Sequence, residues 1–205
     1  LTSHVAALKA EKPDLIFSSM LFADLPVFMK QGTAAGLFDG VKVVLPAAGW
    51  QLNQLKKEFM PDGVIFGHNT LYFDYADGSA LQKAFVADYM DRYKEAPHWE
   101  ADRAYFALAA YKAGVEAAQK AGGKWPTPDA VAQAIPGLDV ESLGGKGRFR
   151  KDKIAEQVFY QGPSTNNNKY DFPTLAEVDV FQAEQLQKPA GVDFWEWIKT
   201  GKMPV

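Results

Sequence analysis

The first third of the chain alternates short apolar runs with segments whose apolar residues recur at helical spacing. After Pro13, the run 14–19, with Leu15, Ile16 and Phe17 at its centre, predicts a buried strand. Asp24 stands where a helix cap belongs, and Leu25, Phe28 and Met29 follow at helical spacing until Gly36. The β-branched stretch 41–45, closed by Pro46, predicts a second strand. Leu52, Leu55 and Phe59 mark a short second helix, and 63–67 a third strand. Ahead of them, residues 2–10 predict a short helix capped by Thr2 or Ser3. Strand and helix alternating with short joints give an α/β fold with a parallel sheet and right-handed crossovers.

Beyond residue 80 the pattern changes. Leu81, Phe85, Tyr89 and Tyr93 recur every four residues in a helix that ends before Pro97. Tyr105, Leu108, Tyr111, Val115 and Ala118 form the stripe of a longer helix, stopped by Gly122 and Gly123. Aromatics at this spacing point to packed helix faces rather than to a cofactor site. Thr127, Pro128 and Asp129 open a third helix, and Pro136-Gly137 closes it. Segments 147–150 and 156–160 then predict a hairpin, 164–168 a polar loop and 178–181 a last strand. A terminal helix over 193–199 carries Asp193 and Glu196 as its capping box. This late change of pattern divides the chain near Pro97, into residues 1–96 and 97–205.

Charge and composition then narrow the function. Basic residues number 22 against 25 acidic ones, a net charge of −3, which argues against a nucleic-acid partner. No run of about 18 apolar residues predicts a membrane span. Cysteine is absent, which excludes disulfides, thiolate metal sites and cysteine nucleophiles. His4, His68 and His98 lack a histidine or carboxylate at ligand spacing on a helix, so no metal is expected. The glycine-rich stretch 144–147 lacks the spacing and hydroxyl of a phosphate loop, and no cofactor is implied. The chain starts at Leu1, not Met, and reads as processed or cut from something longer.

Ligands of open parallel sheets bind beyond the carboxyl ends of the strands. Here those ends open into the loops 18–22, 46–50 and 68–72, which carry small residues, hydroxyls, an amide and several aromatics. Such a mixture suits a small ligand held by stacking and a few hydrogen bonds. An enzyme reading would use His68 with Asp74 or Asp77 and a hydroxyl of Ser18 or Ser19. No G-x-S-x-G elbow accompanies them, so a hydrolase is the weaker reading.

The order of motifs resembles the C-terminal half of type I periplasmic solute-binding proteins, the branched-chain amino acid and amide group of ABC transporters. The stretches that carry the resemblance are 7–17, 28–37, 62–64, 84–93, 104–108, and Gly147-x-Phe149 through 156–162. The resemblance implies two α/β lobes, each a parallel three-layer sheet, closing on a ligand that is handed to membrane permease subunits. On that mapping residues 1–96 belong to the second lobe, without its first strand. Residues 97–205 return to the first, whose N-terminal half would be a missing partner, and the fragment alone would self-associate. The implied cleft residues are Phe22, Ala47, Ala48, Tyr72 and Trp99, in a periplasmic, non-enzymatic receptor without a cofactor. A cytoplasmic sensor of the same fold is the alternative. Amino-acid binders of the family usually place a carboxylate after the second of these strands, whereas 46–50 holds none. An unpaired ammonium there would be expensive, so an amide or an aromatic or aliphatic carboxylate is the expected ligand.

Overall fold

The computed structural model describes residues 1–189 and 191–200. The first part runs α1 (Thr2–Glu11), β1 (Leu15–Phe17), α2 (Asp24–Ala34), β2 (Lys42–Leu45), a 3₁₀ segment (Ala48–Gln54) and β3 (Ile65–Asn69). Three helices follow, α3 (Ala80–Tyr93), α4 (Trp99–Gly122) and α5 (Pro128–Ala134). Short strands come next: β4 (Val140–Ser142), β5 (Gly145–Phe149) and β6 (Ala155–Glu156). The chain then adds β7 (Phe159–Thr165), β8 (Thr174–Leu175), β9 (Asp179–Phe181), α6 (Ala183–Leu186) and α7 (Phe194–Lys199). No helix among the described residues is long and apolar enough to cross a membrane.

The parallel sheet expected from the first third is present. β1 pairs in parallel with β2, Ile16 opposite Val43, and β2 with β3, Leu45 opposite Phe66. One face of β1 and β2 is covered: Val5 of α1 and Leu25, Phe28 and Met29 of α2 share one core with Ile16, Val43 and Leu45. Period-two alternation sends Leu15 and Phe17 to the other face, where Phe17 is 64% exposed. Only one of the two outer layers is therefore in place at this edge among the described residues.

Several local expectations change. The N-cap of α1 is Leu1, without a side-chain bond, and Thr2 reaches across to Gln31 at 3.5 Å instead of capping. Asp24 lies inside the first turn of α2, where its charge favours the helix dipole, and Ala23 holds the cap position. No regular helix forms over 52–59. The backbone leaves helical geometry at Gln51, although Leu52, Leu55 and Phe59 are all buried. β3 starts and ends two residues later than its apolar run suggests.

The predicted hairpin splits between two sheets. Its first arm lies between β4 and the short β6, Gly147 opposite Val140 and Phe149 opposite Ala155, while β7 crosses to lie antiparallel beside β3, Phe66 opposite Gly162. Ser164 and Thr165, expected in a polar loop, are the end of β7, and Ser164 accepts the Val64 N–H at 2.9 Å. The sheet built by residues before Pro97 is thus completed by β7, β8 and β9 from beyond it, because β3 has an open edge. In α7, Asp193 caps Trp195 and Glu196 N–H groups, but Glu196 turns to Lys199 rather than back to the cap.

Helix faces show the largest correction. The buried stripe of α4 is Trp99, Asp102, Phe106, Ala110 and Gly114, rotated from the stripe read in the sequence. Leu108 is 72% exposed and Tyr111 is also on the surface. On α3 the only buried residue is Gln82, whose amide donates to the Tyr72 carbonyl, while Tyr93 is exposed.

Candidate functional site

The carboxyl ends of the three parallel strands do converge. After β1 the chain bends sharply: Phe22 holds a left-handed φ of 56°, an uncommon conformation for an aromatic residue. A reciprocal pair of bonds sustains it. Phe22 N–H donates to Gln51 Oε1 at 2.6 Å, and Gln51 Nε2 donates to the Phe22 carbonyl at 2.8 Å. With its backbone clamped, the Phe22 ring is left 62% exposed, edge-on to Trp50 at 4.7 Å. Trp50 in turn meets the His98 ring at 6.2 Å, at the start of α4.

Beneath this aromatic row lies His68 of β3, buried among the rings of Phe66, Tyr72 and Trp99. Burial alone lowers its pKa to about 3, so the imidazole is neutral. Gly49 is the reason Trp50 can pass over it. A Cβ on Gly49 would stand 2.6 Å from His68 Nδ1 and overlap the Gly67 carbonyl oxygen.

The five sequence-derived candidates divide. Phe22 is exposed at the strand ends, and half-buried Ala47 packs beside Trp50 against the Leu71, Trp99 and Leu143 cluster. Ala48 has no accessible surface. Tyr72 is only 1% exposed; its hydroxyl accepts the Leu175 N–H at 2.9 Å, and burial raises its pKa far above the usual phenol value. It is a core residue tying β8 to the turn after β3. Trp99 is buried too, with its indole N–H donating to Glu100 at 3.0 Å.

The catalytic alternative does not assemble. His68 has no carboxylate beside it: Asp74 is instead reached by the Tyr170 hydroxyl at 3.3 Å. Ser18 accepts the Met20 N–H, the local capping role that short polar side chains often take. Sequence reasoning missed Gln51, which no pattern distinguishes, and Asp102. The latter lies on the buried stripe of α4 and accepts from Leu143 N–H at 2.6 Å and Gln157 Nε2 at 2.9 Å. Burial raises its pKa, against those bonds and others from Thr70 and Ser142. A single carboxylate thereby ties α4 to three separate passes of the chain.

The family model of periplasmic binding proteins matches residues 1–168. No curated protein matches the chain. Among solved structures, a solute-binding protein of an ABC transporter from Rhodopseudomonas palustris BisB5, in complex with 3,4-dihydroxybenzoic acid, is 25% identical. It has a TM-score of 0.67 over 89% of this chain and 48% of that one. A second R. palustris solute-binding protein, in complex with benzoate, is 21% identical, with a TM-score of 0.62 over 86% of this chain and 46% of that one. A leucine-, isoleucine-, valine-, threonine- and alanine-binding protein from Brucella ovis, in a closed conformation, is 20% identical. Its TM-score is 0.67, over 92% of this chain and 48% of that one. The chain thus spans about half the length of the structures it matches. The chain belongs to the periplasmic binding protein family.

Proposed function

We propose that this periplasmic binding protein is half of the solute receptor of an ABC importer, and that its ligand is a flat aromatic carboxylate rather than an aliphatic amino acid. The observation that carries the reading is the strand-end surface: Phe22 and Trp50 stand edge to face, and the loops 18–22, 46–50 and 68–72 contain no acid. On α4, Glu100 is already paired with Arg103 at 3.0 Å and with the Trp99 indole, and Asp102 is taken up by the Leu143 N–H at 2.6 Å and Gln157 Nε2 at 2.9 Å. An ammonium buried here would lose its hydration without a free counter-charge, a cost of several kcal/mol per ion in effective terms. An aromatic ring against Phe22 and Trp50 gains about 0.5–1.5 kcal/mol for each well-placed pair. Benzoate and dihydroxybenzoate in two of the similar structures agree with this chemistry.

In this reading the lobe division falls near residue 97, with β7, β8 and β9 returning to the lobe of β1 to β3. The other lobe covers the exposed apolar face of α4, and the second outer layer of the same lobe covers that of β1. The receptor works in the periplasm and delivers its ligand to membrane permease subunits. A thermal-shift and calorimetric screen of the full-length protein tests the ligand class. Benzoates should raise the melting temperature more than leucine or valine does; a larger shift with the branched-chain amino acids overturns the reading.

A further inference from the structure

Two buried polar atoms at the strand ends have no hydrogen-bond partner: Trp50 Nε1 and His68 Nε2. Both residues line the same small cavity, of about 20 Å3, together with Gly49, Asn53, Phe73 and His98. A single oxygen needs roughly 10–15 Å3 by the same kind of measure, so the space admits one such atom and little more.

The two orphan atoms restrict what that atom is. An indole N–H only donates, so the occupant must offer a lone pair. His68 is neutral, and its Nε2 either accepts or donates one hydrogen bond according to tautomer. A hydroxyl satisfies both atoms with either tautomer, since it accepts and donates. A carboxylate oxygen only accepts, and it would bring a charge to a cavity whose lining contains no lysine or arginine. A methyl or ring C–H would leave both nitrogens unpaired.

We infer that this seat receives a hydroxyl of the aromatic ligand, so that Trp50 and His68 make the receptor select ring-hydroxylated benzoates over benzoate itself. The inference rests on the aromatic-carboxylate reading above and adds the substituent it prefers. Trp50 suits both duties: its ring packs at 84° to that of Phe22, and the residue, with its buried N–H unpaired, lines the cavity. Water has the same hydrogen-bonding chemistry as a hydroxyl, and the experiment must separate the two.

The test is calorimetric titration of the full-length protein with benzoate, p-hydroxybenzoate and 3,4-dihydroxybenzoate, in wild type and in Trp50→Phe. That variant keeps an aromatic ring and removes the N–H. At least one hydroxylated ligand should bind wild type about tenfold or more tightly than benzoate, because a site built for a hydroxyl rejects the analogue that lacks it. Trp50→Phe should abolish most of that preference, so that hydroxylated and plain benzoates bind it with nearly equal affinity, and a preference as large as that of wild type would overturn the inference. Nitrogen NMR of wild type gives a readout independent of the variant's folding: the His68 Nε2 resonance should shift with the hydroxylated ligand and not with benzoate. Equal affinities and an unresponsive His68 would mean that water alone fills the seat; this overturns the inference and leaves the aromatic-acid reading standing. If no benzoate binds while leucine does, the aromatic-acid reading falls, and the hydroxyl seat with it.

Discussion

His68 and Phe22 show how far apart two residues at neighbouring strand ends come to lie. In sequence both belong to loops at the ligand-binding end of a parallel sheet; in the fold Phe22 is held outward by Gln51 and His68 is enclosed by rings. Enclosure has a measurable consequence. Unfolded, His68 titrates near 6.5; folded, it is held to about 3. Between those values the unfolded chain binds a proton that the folded chain does not, so the stabilisation is complete above pH 6.5 and is lost as pH falls toward 3. At about 1.4 kcal/mol per unit, acidification from pH 6.5 to roughly 5 should cost about 2 kcal/mol. Asp102 acts with the opposite sign: its raised pKa makes it most favourable at low pH, and that contribution is lost as pH rises through the folded value. The readout is therefore a difference. Urea unfolding of His68→Gln against wild type should show the variant less sensitive to acid, and parallel pH curves would mean that His68 is not buried neutral. That Phe22, Trp50 and His68 gather at one end was legible from strand order alone. Which of Ala48, Tyr72 and Trp99 would be sealed in the core was not, since aromatic loop residues serve walls and cores alike.

At the scale of elements, the close approach of the turn after β4 to the segments that follow β3 and precede β7 depends on one glycine. A Cβ on Gly144 would overlap the Thr70 carbonyl oxygen and stand 2.7 Å from Val158 Cγ1. The first obstacle is backbone, which cannot rotate away. Gly144→Ala should therefore cost about 3 kcal/mol, at the upper end for overpacked sites. Gly122→Ala, in the last turn of α4 with nothing near its Cβ, should be neutral or slightly stabilising. Denaturant midpoints of the two variants test this; similar values would show that Gly144 does not pass Thr70 so closely. The parallel strands were readable because a continuous apolar run bounded by breakers means a strand wherever it is placed. The divided hairpin was not, because Gln157 and Val158 look like the middle of one strand until β3 offers its open edge to β7.

At the scale of the molecule, two apolar surfaces lack a cover among the described residues. One is the outer face of β1 with Leu15 and Phe17, the other the α4 stripe with Leu108 and Tyr111. Soluble monomers rarely expose contiguous apolar patches larger than a few hundred Å2, and larger ones mark interaction surfaces. The isolated chain should accordingly associate with itself or bind a hydrophobic dye, and the full-length protein should do neither. Analytical ultracentrifugation of both is the check: a stable monomeric chain that leaves the dye dark would show that these faces need no partner.

From the sequence alone came the α/β class, the three parallel strands, the missing acid in 46–50 and the family. All of these depend on local periodicity, breakers and motif order, which a linear chain carries in full. The tertiary structure alone decided that Gln51 clamps Phe22, that Tyr72 and Trp99 face inward, that Asp102 joins three passes, and that Trp50 and His68 line one small cavity. Several of these outcomes depend on contacts between residues far apart in the chain, 29 positions for Gln51 with Phe22 and 103 for Leu175 with Tyr72. Residue type cannot encode such a pairing, because it is set by which backbone happens to pass alongside once the sheet has closed.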